Sequence, residues 1–252
     1  MTAVIAQTLV LQVVVAALIL GFGVLARRIA PTPGVSPRTT AWFMAGVTFT
    51  LDGGLAVVHA TAAVAAMVIG PHSSFYAWFV RLLPAGNDAR SLLVFGFAVG
   101  LGWMLLLGRP APSARAIIAA ACLLMLVGFA VGLAEPPVLQ RGGGAHLTVT
   151  SLFGAITAVL LFAGLYRGMI RESVDWLLWT SLALYATQEA ISSNIQTVLA
   201  WAGFGGGWAP PVRTIMLAGL VAACVMLACA IRRLSIARAG GDAPGLLERI
   251  RG

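Results

Sequence analysis

Long apolar runs separated by short polar connections make up most of the chain. Each run has about 18 or more residues and at most one charge, enough for an α-helix to cross a hydrocarbon core of about 30 Å. The runs lie near residues 4–26, 41–69, 91–108, 116–134, 147–166, 176–201 and 213–231. Strands of a membrane barrel would instead alternate polar and apolar residues over about ten positions. The pattern therefore predicts an all-α, polytopic membrane protein with seven transmembrane helices, forming a single domain over residues 1–252.

The longest early connection, residues 70–90, has a helical pattern of its own. Its large apolar side chains recur at helical spacing, and Arg81 falls on another face. These side chains are Phe75, Trp78, Phe79 and Leu82. Since proline lacks a backbone N–H and ends most helices, Pro84 marks the expected end. We predict an interfacial helix near residues 73–83, lying on the outer membrane surface.

The positive charge is distributed in a way that predicts topology. The net charge is +8, and arginine carries all the positive charge because the chain has no lysine. With the N-terminus outside, twelve arginines fall on the inner side and only Arg81, Arg90, Arg141 and Arg213 on the outer side. The positive-inside rule favours this N-out, C-in arrangement, with a short basic cytoplasmic tail at residues 232–252. The arginines are expected to contact lipid headgroups and not nucleic acid, and arginine and alanine richness suggests a bacterial inner membrane.

Glycines four residues apart recur in two consecutive runs. Gly96 precedes Gly100 by four residues, and Gly128 precedes Gly132 by the same interval. Small residues at this spacing lie on one face of a helix and let a neighbouring helix approach closely in lipid. These glycines are therefore predicted to lie at helix contacts.

An acidic residue lies inside the second apolar run, where it is followed by two glycines. Asp52 precedes Gly53 and Gly54. The other acidic residue within an apolar run is Glu189, in the sixth run. A carboxylate at bilayer depth costs a few kcal/mol or more unless it is neutralised, paired or hydrated, so both acids are candidates for function. Adjacent glycines weaken a helix, and we expect Gly53 and Gly54 to break the second helix locally beside a cavity.

Polar residues on the sixth run share one helical face. Their offsets of zero, four, seven, eight and eleven stack them on one side. They are Tyr185, Glu189, Ser192, Ser193 and Gln196. On the second run, Thr48, Asp52 and His59 also share a face if the helix stays regular.

Counting along the helices places the polar residues of the two runs at matching depths. At about 1.5 Å of rise per residue, Asp52 and Glu189 fall in one layer near the midplane, and His59 and Gln196 fall in a more outward layer. If the two helices are neighbours, they form a polar track to a mid-membrane acidic site. The two carboxylates could share a proton or hold a cation. The alternative is that each acid bonds a nearby hydroxyl or amide and only fixes helix packing.

Other chemistry finds little support in the sequence. His72 and His146 are loop or helix-end residues, so no haem or metal site is predicted, and no cofactor is expected. The sequence has no GxSxG or HExxH motif, and we do not expect an enzyme. A microbial rhodopsin shares the seven-span outline but needs a lysine for its retinal Schiff base, which this chain lacks.

The sequence favours a small membrane carrier or proton-coupled permease for an ion or solute. Asp52 and Glu189 would bind the coupling ion or the substrate, with His59, Tyr185, Ser192, Ser193 and Gln196 lining the route. The alternative is a seven-span sensor or accessory subunit that acts through a protein partner bound to its cytoplasmic tail. The sequence does not predict an oligomeric state.

Overall fold

Four long helices form the described part of the protein. The computed structural model describes residues 2–29, 32–34, 37–70 and 72–134, together with scattered positions between 156 and 232. The helices are α1 (Thr2–Ile29), α2 (Pro37–Ile69), α3 (Ser74–Leu105) and α4 (Ala114–Ala134), and these residues include no strand. The described residues agree with the predicted all-α class. The runs predicted at 147–166, 176–201 and 213–231 fall largely outside the described residues.

Three of these helices are long and apolar enough to cross a membrane by length and composition. The candidate spans are Leu9–Arg28, Thr39–Ile69 and Ala114–Ala134. They match the first, second and fourth predicted runs. An uninterrupted apolar stretch of this length is a strong indication of a helix and of its approximate bounds. A membrane location is consistent with these three helices.

The third helix differs from the prediction. A helix begins near the predicted position, but α3 continues through Pro84 to Leu105 instead of ending at the proline. The predicted separate helix at 73–83 and third run at 91–108 are thus parts of one helix. A proline inside a helix costs about 3 kcal/mol, and burial of the next turns offsets this cost. Ala85, Ala89 and Leu93 are all buried.

A tight turn joins α2 to α3. Gly70 has a φ of 103°, a left-handed conformation that glycine adopts without steric cost. The Ser73 hydroxyl donates to the Gly70 carbonyl oxygen at 2.8 Å and accepts from the Tyr76 backbone N–H at 3.1 Å. Ser73 is therefore the N-cap of α3 and satisfies one of the free N–H groups of its first turn.

Glycines set the distance between consecutive helices. A Cβ atom at Gly46 would lie 2.8 Å from the Arg27 backbone nitrogen of α1. A Cβ atom at Gly128 of α4 would lie 2.6 Å from the Ala89 Cα of α3. Because real Cβ atoms do not approach backbone this closely, both sites need glycine. Gly128 thus lies at a helix contact, as predicted.

An aromatic cluster ties the first three helices together. The ring of Phe49 on α2 lies 5.5 Å from that of Phe22 on α1 and 5.9 Å from that of Phe97 on α3, both edge to face. All three side chains are buried. Edge-to-face pairs at these separations are favourable beyond the apolar area they bury. The cluster fixes the position of α2 between α1 and α3. Asp52 follows Phe49 by three residues on α2, so it lies close to this cluster.

Candidate functional site

Asp52 is buried near the middle of α2. The helix has 33 residues, and the Asp52 side chain is 1% exposed. Thr48, one helical turn earlier, is also buried. A charge so far from water must be neutralised or paired, so the surroundings of Asp52 decide what it can do.

Arg90 of α3 is the partner of Asp52. The Nε atom of Arg90 donates to the Oδ1 atom of Asp52 at 2.7 Å, which is the short distance typical of a charge-assisted hydrogen bond. The Arg90 side chain is 17% exposed. The sequence predicted Arg90 as one of the outer-side arginines that only orient the chain. That assignment is wrong, because α3 extends through Pro84 and places Arg90 in contact with α2.

The antiparallel register of α2 and α3 explains why these two residues meet. On one side of the pair, a Cβ atom at Gly100 would lie close to Met44 Cε. On the other side, a Cβ atom at Gly86 would collide with the ring of His59. Residue numbers therefore rise on α2 as they fall on α3, and Asp52 and Arg90 lie between these two contacts. Glycines on α3 leave room for the larger α2 side chains.

His59 lies on the same side of α2 as Asp52, about 10 Å further along the helix. Its ring packs over Gly86 and meets the ring of Phe79 edge to face at 6.1 Å. Both Asp52 and His59 therefore contact α3. This agrees with the shared face that their spacing predicted, because α2 stays regular between them.

The predicted helix break at Gly53 and Gly54 is wrong. α2 is continuous from Pro37 to Ile69 and passes through both glycines. Gly53 lies against Leu20 of α1, where a Cβ atom would meet the Leu20 Cα at 2.6 Å. A Cβ atom at Gly54 would meet nothing within 4 Å. Gly53 therefore serves close helix packing, and tertiary contact keeps the weak helix former in the helix.

The remaining predicted site residues lie outside the described residues. They are Tyr185, Glu189, Ser192, Ser193 and Gln196. The pairing of Asp52 with Glu189 and the track from His59 to Gln196 therefore remain predictions. Within the described part of the chain, no three histidine, cysteine or acidic side chains group as a metal site would require.

Sequence reasoning missed two charged residues on α3, the buried Asp88 and the partly buried Arg90. Arg90 was treated as part of a connection, and Asp88 was not considered because it lies before the third apolar run. Asp88 is buried, and its backbone carbonyl lies at the Gly128 contact with α4. A partial signal was present, because a buried acid that pairs with a cationic side chain can only use arginine or histidine in a chain without lysine, and Arg81 and Arg90 lie in the segment that follows α2.

The contacts around the pair define what it can do chemically. The site holds a carboxylate and a guanidinium from two helices, and His59 lies about two turns from Asp52 on the same helix. This arrangement joins two helices through opposite charges, and either charge could exchange its partner for another ion. No protein-family model, no curated protein and no solved structure matches this chain.

Proposed function

We propose that the protein is an integral membrane carrier for an ion or small solute, coupled to proton movement, with Asp52 as the acid of its transport site. The proposal takes the chain as seven-spanning, with the N-terminus outside and a basic cytoplasmic tail, in a bacterial inner membrane. Glu189, His59 and Gln196 belong to the proposed site on the sequence pattern described above.

The observation that supports the proposal is the ion pair between Asp52 and Arg90. It lies near the middle of a 31-residue candidate span and joins two helices through one short hydrogen bond of 2.7 Å. Ionisable residues at this depth are rare because they are costly, and they commonly mark ion or substrate pathways. A well-packed apolar pair would hold two helices together at least as well as a buried ion pair. Helix packing alone therefore does not explain why these two positions carry charged residues.

The pair also gives a physical means of coupling. Protonation of Asp52 would remove the negative charge that it offers to Arg90 and so weaken the contact between the two helices. Separation of α2 from α3 at this point would then depend on whether a proton and a solute are bound. A carrier needs such a link between occupancy and helix arrangement, because a ligand shifts only an equilibrium whose two states it binds unequally.

Flux in proteoliposomes tests the proposal. The purified protein is reconstituted with a pH-sensitive dye inside, and gradients of small anions, cations and neutral polyols are applied in turn. We expect at least one solute to move with protons faster than in protein-free liposomes, and Asp52→Asn to reduce that coupled movement at least about tenfold. Arg81→Gln is the matched control, because Arg81 is an exposed arginine of the same helix.

The sensor or accessory-subunit alternative predicts a different result. Folded protein would give no flux for any solute of the panel, and a protein partner would co-purify through residues 232–252. Deleting those residues would release the partner. A carrier with the proposed site would retain its flux after the same deletion.

A further inference from the structure

The two members of the ion pair differ in how accessible they are. The Arg90 side chain is 17% exposed, whereas the Asp52 side chain is 1% exposed. The more accessible member of the pair is therefore the cationic one. A solute that exchanges with a member of this pair would accordingly bind the guanidinium more readily than the carboxylate.

Resting on the proposed carrier function, we infer that the transported solute is a small oxyanion, which binds Arg90 in exchange for Asp52. The carboxylate, sulfate and phosphate groups share the chemistry that a guanidinium recognises, with oxygen atoms spaced to accept parallel N–H bonds. Asp52 is itself a carboxylate on Arg90 at 2.7 Å. The protein's own side chain thus occupies the position that the solute would take.

The exchange is balanced in charge and protons. One proton from the outer solution adds to the Asp52 carboxylate, and the neutral acid no longer holds the guanidinium. One oxyanion takes its place on Arg90, so each singly charged anion enters with one proton and no net charge. Release on the inner side returns the anion and the proton to solution, and the ion pair closes again. No bond other than the O–H bond forms or breaks.

Other titratable groups near the pair are few among the described residues. On α2, His59 shares the face of Asp52. On α3, Arg81 is exposed, while Asp88 lies two residues before Arg90, about 200° around the helix. The ionisable groups of α1 and α4 are arginines near helix ends and a cysteine. They are Arg27, Arg28, Arg115 and Cys122.

A transport experiment separates this inference from the carrier function itself. The panel compares the oxyanions sulfate, phosphate, succinate and gluconate with choline and with sorbitol, the neutral counterpart of gluconate. We expect an inward gradient of an oxyanion to acidify the lumen, and choline and sorbitol to have no effect. Gluconate is the cleanest probe because it keeps a single negative charge from weakly acidic to neutral pH, so faster uptake at lower pH reports on the protein. For the anions that carry more than one charge, potassium and valinomycin hold the membrane potential at zero.

Two variants distinguish binding from coupling. Asp52→Asn should lose anion-driven acidification but keep exchange of labelled anion across the membrane, because Arg90 remains available. Arg90→Gln should lose both. Arg81→Gln should lose neither, since Arg81 has no place in the pair.

Ligand stabilisation of the solubilised protein provides a readout independent of flux. In Asp52→Asn the Asp52 carboxylate no longer competes for the guanidinium, so the oxyanion carried in the flux assay should raise the unfolding temperature by about 5 °C or more. The gain in the wild-type protein should be smaller and should grow as pH falls. The double variant Asp52→Asn/Arg90→Gln, which contains neither charge, should fold and show no gain.

The possible results of these experiments distinguish the oxyanion inference from the carrier function. Flux of choline or sorbitol without flux of any oxyanion would overturn the inference and leave the carrier function standing. Oxyanion flux that persists in Arg90→Gln would do the same. Absence of flux for the whole panel would overturn both. Retained exchange in Asp52→Asn, together with its anion-dependent stabilisation, would establish the inference.

Discussion

Gly53 of α2 lies against the backbone of Leu20 in α1, immediately beside the buried Asp52. The two helices approach so closely there that a Cβ atom at position 53 would meet the Leu20 Cα at 2.6 Å. The residue next to the buried charge therefore fixes the position of α2 against α1. Asp52 in turn faces the opposite neighbour, α3, through Arg90.

Replacing Gly53 by alanine should separate α1 from α2. Overpacking of a tight contact costs about 1–3 kcal/mol, which exceeds the gain in helix propensity of about 1 kcal/mol. We expect Gly53→Ala to lower the free energy of unfolding in a denaturant titration of the detergent-solubilised protein. Gly54→Ala is the matched control, because nothing lies within 4 Å of a Cβ atom there. Equal stabilities for the two variants would contradict the α1–α2 packing.

Gly128→Ala should disturb the contact between α4 and α3 in a comparable way. A Cβ atom at position 128 would lie 2.6 Å from the Asp88 backbone oxygen, and a backbone contact cannot be relieved by rotating a side chain. We expect a loss of about 1–3 kcal/mol in the same titration. Gly21→Ala, at an open position on α1, should leave stability within about 1 kcal/mol of the wild type. A neutral Gly128→Ala would show that α3 and α4 are further apart.

Asp52 and Arg90 should be strongly coupled in a double-mutant cycle. Removing Arg90 takes the ion-pair partner from the buried Asp52 carboxylate, and the loss of one member of a fully buried pair costs about 3–5 kcal/mol. Removing both leaves no such charge, so the double variant Asp52→Asn/Arg90→Gln should be more stable than the sum of the single losses predicts by at least about 2 kcal/mol. Thermal unfolding or denaturant titration of all four proteins measures the coupling. Additive single effects would mean that the ion pair is absent in solution.

The N-cap of α3 can be tested separately from the pair. Ser73→Ala removes the acceptor of the Tyr76 N–H bond at 3.1 Å and should cost about 1 kcal/mol. Ser73→Asn or Ser73→Asp should keep most of the stability, because both side chains can accept the same bond. Unfolding of the three variants side by side provides the comparison. An alanine variant as stable as the wild type would place the start of α3 elsewhere.

Sequence periodicity predicted the helices whose apolar runs are uninterrupted, and it failed where tertiary contact overrides a local rule. The runs at 4–26, 41–69 and 116–134 correspond closely to α1, α2 and α4, because their length and apolarity leave no other structure in a membrane. Pro84 and the pair Gly53 and Gly54 were predicted as interruptions from intrinsic propensity. In both places the helix continues because it packs against a neighbour.

The candidate site was predicted only in part, because one of its residues follows from a local pattern and the other from tertiary contact. Asp52 was identified because its burial follows from its position inside an apolar run. Arg90 was missed because its partnership depends on the register of α2 and α3, which no local pattern encodes. Seven residues separate Asp52 from His59, and this spacing predicted correctly that they share a face.

The length of α2 has a consequence for the turn at Gly70. A helix of 33 residues is about 50 Å long, whereas the hydrocarbon core is about 30 Å thick. Even at a tilt of about 40°, the steepest that is common for such helices, the rod reaches beyond the core. If α2 crosses the membrane, at least one of its ends therefore lies in the headgroup layer or in water. In a variant in which Cys122, Cys224 and Cys229 are replaced, a hydrophilic thiol reagent applied to one side of sealed vesicles would reach a cysteine introduced at His72 only from the side on which the turn between α2 and α3 lies, and so would report the orientation of α2.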